Sequence, residues 1–145
     1  MTMNRDDFQQ LADLRLKEAR ALLTAEFPDG AYYLAGYAVE CALKACIAKR
    51  TQQHDFPDKK LVDKRHTHDV ERLMDAAGLT DLLKNEIAGD QELELDWEAV
   101  REWSEQSRYD VFKGDPTGGL VTAQLLIDAV ESDKGGVLRW IKQSW

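Results

Sequence analysis

At 145 residues the chain is long enough for one domain with a real core and short for two. Its 27 acidic side chains outnumber 19 basic ones, for a net charge of −8. That balance argues against a stand-alone binder of nucleic acid, because neutralising phosphates supplies most non-specific affinity. No uncharged apolar run of about 18 residues and no basic-then-apolar amino terminus is present, so a soluble, cytoplasmic protein with no membrane contact is expected.

Asn4 followed by Asp7 opens the first expected helix, and Phe8, Ala12, Leu16, Ala19, Leu23 and Phe27 recur at three- and four-residue steps as its buried face. This helix is expected to run to about Phe27. Pro28, Asp29 and Gly30 then read as a tight break, with Asp29 as cap, that folds the next helix back on the first.

Gly30 to Arg50 is the apolar centre of the sequence. From Ala31 to Ala48 only Gly36, Glu40 and Lys44 fall outside the apolar set, and their four-residue spacing lines them up as one thin polar seam. Tyr33 and Tyr37 lie on an adjacent line, and the alanines let neighbouring backbones approach. Glu40 and Lys44 stand in the favourable order for an exposed helix pair, worth about 0.2 to 0.5 kcal/mol. The alternative is that both charges are partly buried beside further partners and mark a site. Cys41 and Cys46, five residues apart, point in different directions and are expected as free thiols.

Thr51 to His66 lacks periodicity and reads as a long loop, either a partner-contacting segment or a tolerated insertion. Thr67 is the expected cap of a short helix carrying Val70, Leu73, Met74 and Ala77, which Gly78 stops. A further short helix spans Thr80 to about Ala88, and Gly89 to Asp96 reads as an acidic connector. Trp97, Val100 and Trp103 form the buried face of a helix ending near Gln106. Residues 75–110 hold 11 acidic and 3 basic side chains and so carry the whole net charge, whereas residues 44–72 have a mild positive excess. Gly114, Asp115, Pro116, Thr117, Gly118 and Gly119 are turn formers. The last helix starts at Leu120, with Ala123, Ile127, Val130, Val137 and Ile141 on its core face, and Gly135 and Gly136 bend or split it. The pattern implies a single all-α domain over residues 1–145, an up-and-down bundle of four to five main helices.

No phosphate-cradling glycine loop, serine elbow or Cys/His pair stands out. His66, His68 and Asp69 lack further ligands at metal-site spacing, so no metal and no cofactor are expected. His68 suits either a cap region or a carboxylate partner, for which Glu40 is preferred. Arg108, beside Tyr109 and Asp110, either ties the acidic helix back to Glu40 or Asp110, or grips a phosphate, carboxylate or ring face.

Three stretches in this order, YYLAGYAVECALKACI, HTHDVERLMDAAGL and WEAVREWSEQSRYD, resemble the HEPN domains of prokaryotes. The likeness spans roughly Ala19 to Asp110 and extends weakly to the closing VLRWIKQSW. It implies a bundle that pairs as a homodimer and is often encoded beside a minimal nucleotidyltransferase. Some members of that family are metal-independent ribonucleases in toxin–antitoxin or defence systems, and others bind nucleotides, RNA or partner proteins without cleaving. The active ribonucleases carry an arginine followed, after roughly four to six residues, by a proton-handling histidine.

Arg108 occupies the expected arginine position, but no histidine follows it in the chain. That departure argues against autonomous ribonuclease activity. The resemblance thus implies a non-catalytic or weakly catalytic protein whose binding group is Glu40, Lys44, Arg108, Tyr109 and Asp110. The ionic side chains at 40 and 44 are expected to face inward, toward Arg108. In the alternative, a ribonuclease toxin with an atypical acid–base group, Arg108 and His68 are the catalytic residues.

Overall fold

In a computed structural model, residues 3–52, 68–104 and 116–145 are described. They form seven helices, and their only β feature is an isolated bridge between Ser132 and Gly135. The helix α1 (Arg5–Thr24) starts at a capping box: Asn4 Oδ1 accepts from the Asp7 amide and the Asp7 carboxylate accepts from the Asn4 amide. Ala12, Leu16 and Ala19 are its buried residues.

The helix stops three residues short of Phe27, which the periodicity had placed on the buried face and which is 61% exposed. The cause is a Schellman turn. The Phe27 amide donates to Leu22 O and the Glu26 amide to Leu23 O, with Glu26 in the left-handed region at φ 66°. The reversal at 25–27 lets α2 (Pro28–Gln52) begin with proline in its first turn, so Asp29 lies inside the helix as a first-turn acid instead of capping it.

The alanine-rich α2 is the axis of the fold. It packs most extensively on α1, then on α6 (Pro116–Val130), and also touches α3 (Val70–Ala76) and α7 (Val137–Lys142). Its two cysteines are free and buried. Beyond it, Asp69 caps α3 by accepting from the Glu71 and Arg72 amides. The cap expected at Thr67, like most of the loop expected over 51–66, lies outside the described residues. Gly78, at φ 75°, closes α3 in a second Schellman turn, in which the Gly78 amide donates to Asp75 O and the Leu79 amide to Met74 O.

The acidic connector expected from Gly89 to Asp96 is instead mostly helix: α4 (Thr80–Gly89) is followed at once by α5 (Gln91–Arg101). Asp90 caps α5 by accepting from the Leu93 amide at 3.0 Å, and Glu92 and Glu94 sit in its first turn, where the helix dipole favours anions. Leu93, Trp97 and Val100 are its buried stripe. It ends at Arg101, before the expected Gln106, because the chain tightens there: the Trp103 amide donates to Val100 O.

Pro116 to Gly119, expected as turn, form the first part of α6, proline again fitting the first helical position. Gly135 and Gly136, both at positive φ, split the closing segment into α6 and α7. A Cβ at Gly136 would lie 2.5 Å from Val130 O, so no side chain fits. No helix among the described residues is long and apolar enough to cross a membrane.

The tightest contact on α2 is at Gly36, the first residue of the polar seam. Trp103, 3% exposed, lays its indole on the Gly36 backbone so closely that a Cβ there would stand 2.2–2.3 Å from three ring atoms. Gly36→Ala should therefore cost about 1 to 3 kcal/mol in urea unfolding. Combined with Trp103→Leu, which leaves room, the loss should be less than additive. Equal stability of Gly36→Ala and the parent chain would contradict this packing.

Candidate functional site

One turn along α2 from Gly36, Glu40 is fully buried, and among the described residues it is the one buried side chain that carries a charge. Its Oε2 accepts from Lys44 Nζ at 3.1 Å, a pair made by the i, i+4 geometry of the helix. Both its oxygens also stand 3.1 Å from Nδ1 of His68, the residue just before the α3 cap. The two partners differ in exposure: the Lys44 side chain retains 16% of its surface and that of His68 44%. The carboxylate therefore anchors a ring that reaches the surface.

The upper part of the seam is aromatic. Tyr33 stacks on Tyr37 with ring centroids 5.9 Å apart and on Trp103 at 6.1 Å. Trp103 Nε1 is buried with no hydrogen-bond partner among the described residues. Burial, with the nearby Cys41 thiol and Glu40 adding to it, pushes the Tyr37 hydroxyl up to about 12. Burial likewise pushes the Cys41 thiol up to about 12, Glu40 reinforcing it while Lys44 opposes. Neither group is an ionisable nucleophile near neutral pH.

A second clamp holds α3 against α2. Arg50, in the last turn of α2, donates from Nη1 to Ala76 O at 3.1 Å and passes beside Gly78. The helix that presents His68 is thus tied to α2 at its start through Glu40 and at its end through Arg50. The sequence did not suggest this role for Arg50. The signal was available in the glycine at 78, which leaves room for the guanidinium, and in the bare carbonyls at a helix end.

The structure brings together Glu40, Lys44 and His68 of the residues singled out from sequence. Arg108, Tyr109 and Asp110 lie outside the described residues, as do His54 and His66. Among the described residues no three His, Cys, Asp or Glu side chains are placed to hold a metal ion.

Two outcomes follow from the buried groups. Glu40→Gln removes the charge that answers Lys44 and should cost about 3 kcal/mol in denaturant unfolding, whereas Glu40→Leu with Lys44→Met should recover most of the loss. A Glu40→Gln variant as stable as the parent would contradict an interior ion pair.

The raised thiols act at the other end of the pH scale. Cys41 and Cys46 both move from 9.0 to about 12 on folding, so above pH 9 the unfolded chain releases protons that the folded chain keeps. Stability should be level from pH 7 to about 8.5 and fall from about 9 upward, with a shallower fall in Cys41→Ala/Cys46→Ala. Identical slopes for variant and parent would show that the thiols do not contribute.

A family model, that of the HEPN domain, matches residues 7–133, most of the chain and all of the elements that build the Glu40 contact. No curated protein and no solved structure matches it. With the all-helical architecture and a match of that extent, the chain belongs to the HEPN domain family.

Proposed function

We propose that this is a cytoplasmic HEPN protein without strong ribonuclease activity of its own. It pairs as a homodimer and binds a nucleotide or RNA, working beside a nucleotidyltransferase partner in a toxin–antitoxin or defence module. The binding group comprises Glu40, Lys44 and His68 together with Arg108, Tyr109 and Asp110. The observation that carries this reading is the buried Glu40 carboxylate joined to the half-exposed His68 ring. An ion withdrawn from water is costly, and its attachment to a surface imidazole gives that cost a use in ligand recognition.

In the same reading the guanidinium of Arg108 supplies the phosphate contact. The absence of any histidine after Arg108 removes the family's usual proton-transfer group and favours binding over cleavage.

One observation favours the ribonuclease alternative. A carboxylate against Nδ1 is how a histidine is oriented for proton transfer, so Glu40 and His68 have the form of an acid–base pair. In that case His68 takes the proton of a ribose 2′-hydroxyl as its oxygen attacks the adjacent phosphorus, the P–O5′ bond breaks to leave a 2′,3′-cyclic phosphate and a 5′-hydroxyl that takes its proton from solvent, and Arg108 steadies the phosphate charge.

Purified chain incubated with single-stranded RNA in excess chelator separates the two. Binding without cleavage, weakened at least about tenfold by Arg108→Ala and by His68→Ala, supports the lead reading. Cleavage abolished by either substitution supports the ribonuclease. A monomer by light scattering that neither binds nor cleaves RNA or nucleotides would contradict both.

A further inference from the structure

A cleft of about 440 Å³ opens between α3, α4 and α5. Its floor is apolar: Met74, Leu83 and Trp97 are buried, and Ile87 packs on the same core. Its rim is charged, with the carboxylates of Glu71, Asp75, Glu94 and Glu98 set against the cations of Lys84 and Arg101. Arg101 Nε already donates to Glu71 Oε1 at 2.9 Å, so those two charges answer each other, and the rest of the rim sets Asp75, Glu94 and Glu98 against Lys84. The surrounding field has the same sign, since residues 75–104 hold nine acidic and two basic side chains.

We propose that this cleft docks a basic amphipathic helix of a protein partner. Its apolar side chains would rest on Ile87 and the edge of Trp97, over the closed floor of Met74 and Leu83, and its lysines or arginines would meet Glu94 and Glu98. An apolar trough with a rim of one dominant sign is the form a groove takes when it receives an amphipathic helix of opposite charge. Two other occupants are disfavoured by the same charges. Phosphate-bearing ligands would meet carboxylates, and a second copy seated through this face would set two acidic rims against each other. The inference does not depend on the nucleotide or RNA reading, which concerns the Glu40 seam.

The test uses three fluorescent helical peptides. One carries leucine and lysine at amphipathic spacing, one has glutamate for lysine, and one has serine for leucine. The leucine–lysine peptide should bind at low salt at least about tenfold more tightly than either control and weaken as salt rises. NMR should place the perturbation at the Trp97 indole and the Leu83 and Ile87 amides. Glu94→Lys/Glu98→Lys, both exposed positions on α5, should weaken binding at least about tenfold, while Glu26→Lys at the α1–α2 turn should not.

Absent binding, equal binding of either control peptide, equal loss in Glu26→Lys, or perturbations confined to another face would each overturn the proposal. So would sedimentation showing that Glu94→Lys/Glu98→Lys disrupts self-association, which would assign the cleft to a second copy.

Discussion

A carboxylate with no access to water must be answered by other groups, and in this fold the answer decides how α2 and α3 meet. Removing an ion from solvent costs several kcal/mol even after relaxation. Glu40 recovers that through Lys44 on its own helix and His68 at the head of α3. The first contact follows from helical spacing alone. The second is long-range and requires α3 to arrive in one register, which Arg50 and Ala76 O fix from the other end. A buried carboxylate whose contacts link two helices at a defined register adds specificity as much as stability, and here it also fixes where an imidazole emerges.

The rest of the packing accommodates this arrangement. The alanines of α2 admit α1 and α6 closely, and Gly36 admits the Trp103 ring, so the middle of the axis is buried while Tyr33, Tyr37 and Lys44 stay partly accessible and His68 leads outward. The aromatic group of Tyr33, Tyr37 and Trp103 covers the seam on one side of Glu40. Water is thereby kept from the carboxylate, and a drier surrounding strengthens each of its contacts.

How much of this was legible in the sequence depended on whether a feature is local or long-range. The four-residue run of Gly36, Glu40 and Lys44 places them on one line by helix geometry alone, and that geometry is what the structure shows. The all-helical fold was readable from periodicity. Ends were harder. Phe27 continued the apolar period, yet the helix stopped because Glu26 adopts a left-handed turn usually given to glycine. Residues 89–96 looked like a connector because their acids hid Leu93, the first member of the stripe that Trp97 and Val100 continue in the helix that Asp90 caps. The proline and glycines at 116–119 read as turn although proline also suits the start of a helix. The Arg50 clamp and the seat of Trp103 on Gly36 join residues far apart in the chain, so no local pattern could specify them.

The central claim is that Glu40 serves ligand recognition by holding His68, and a double-mutant cycle on affinity tests it most directly. Glu40→Gln, His68→Ala and the double variant, each shown folded by circular dichroism, would be titrated into a short fluorescent single-stranded RNA. The account predicts that each single variant weakens binding and that the double variant is no weaker than His68→Ala alone. Unchanged affinity in all three, or strictly additive losses, would contradict it.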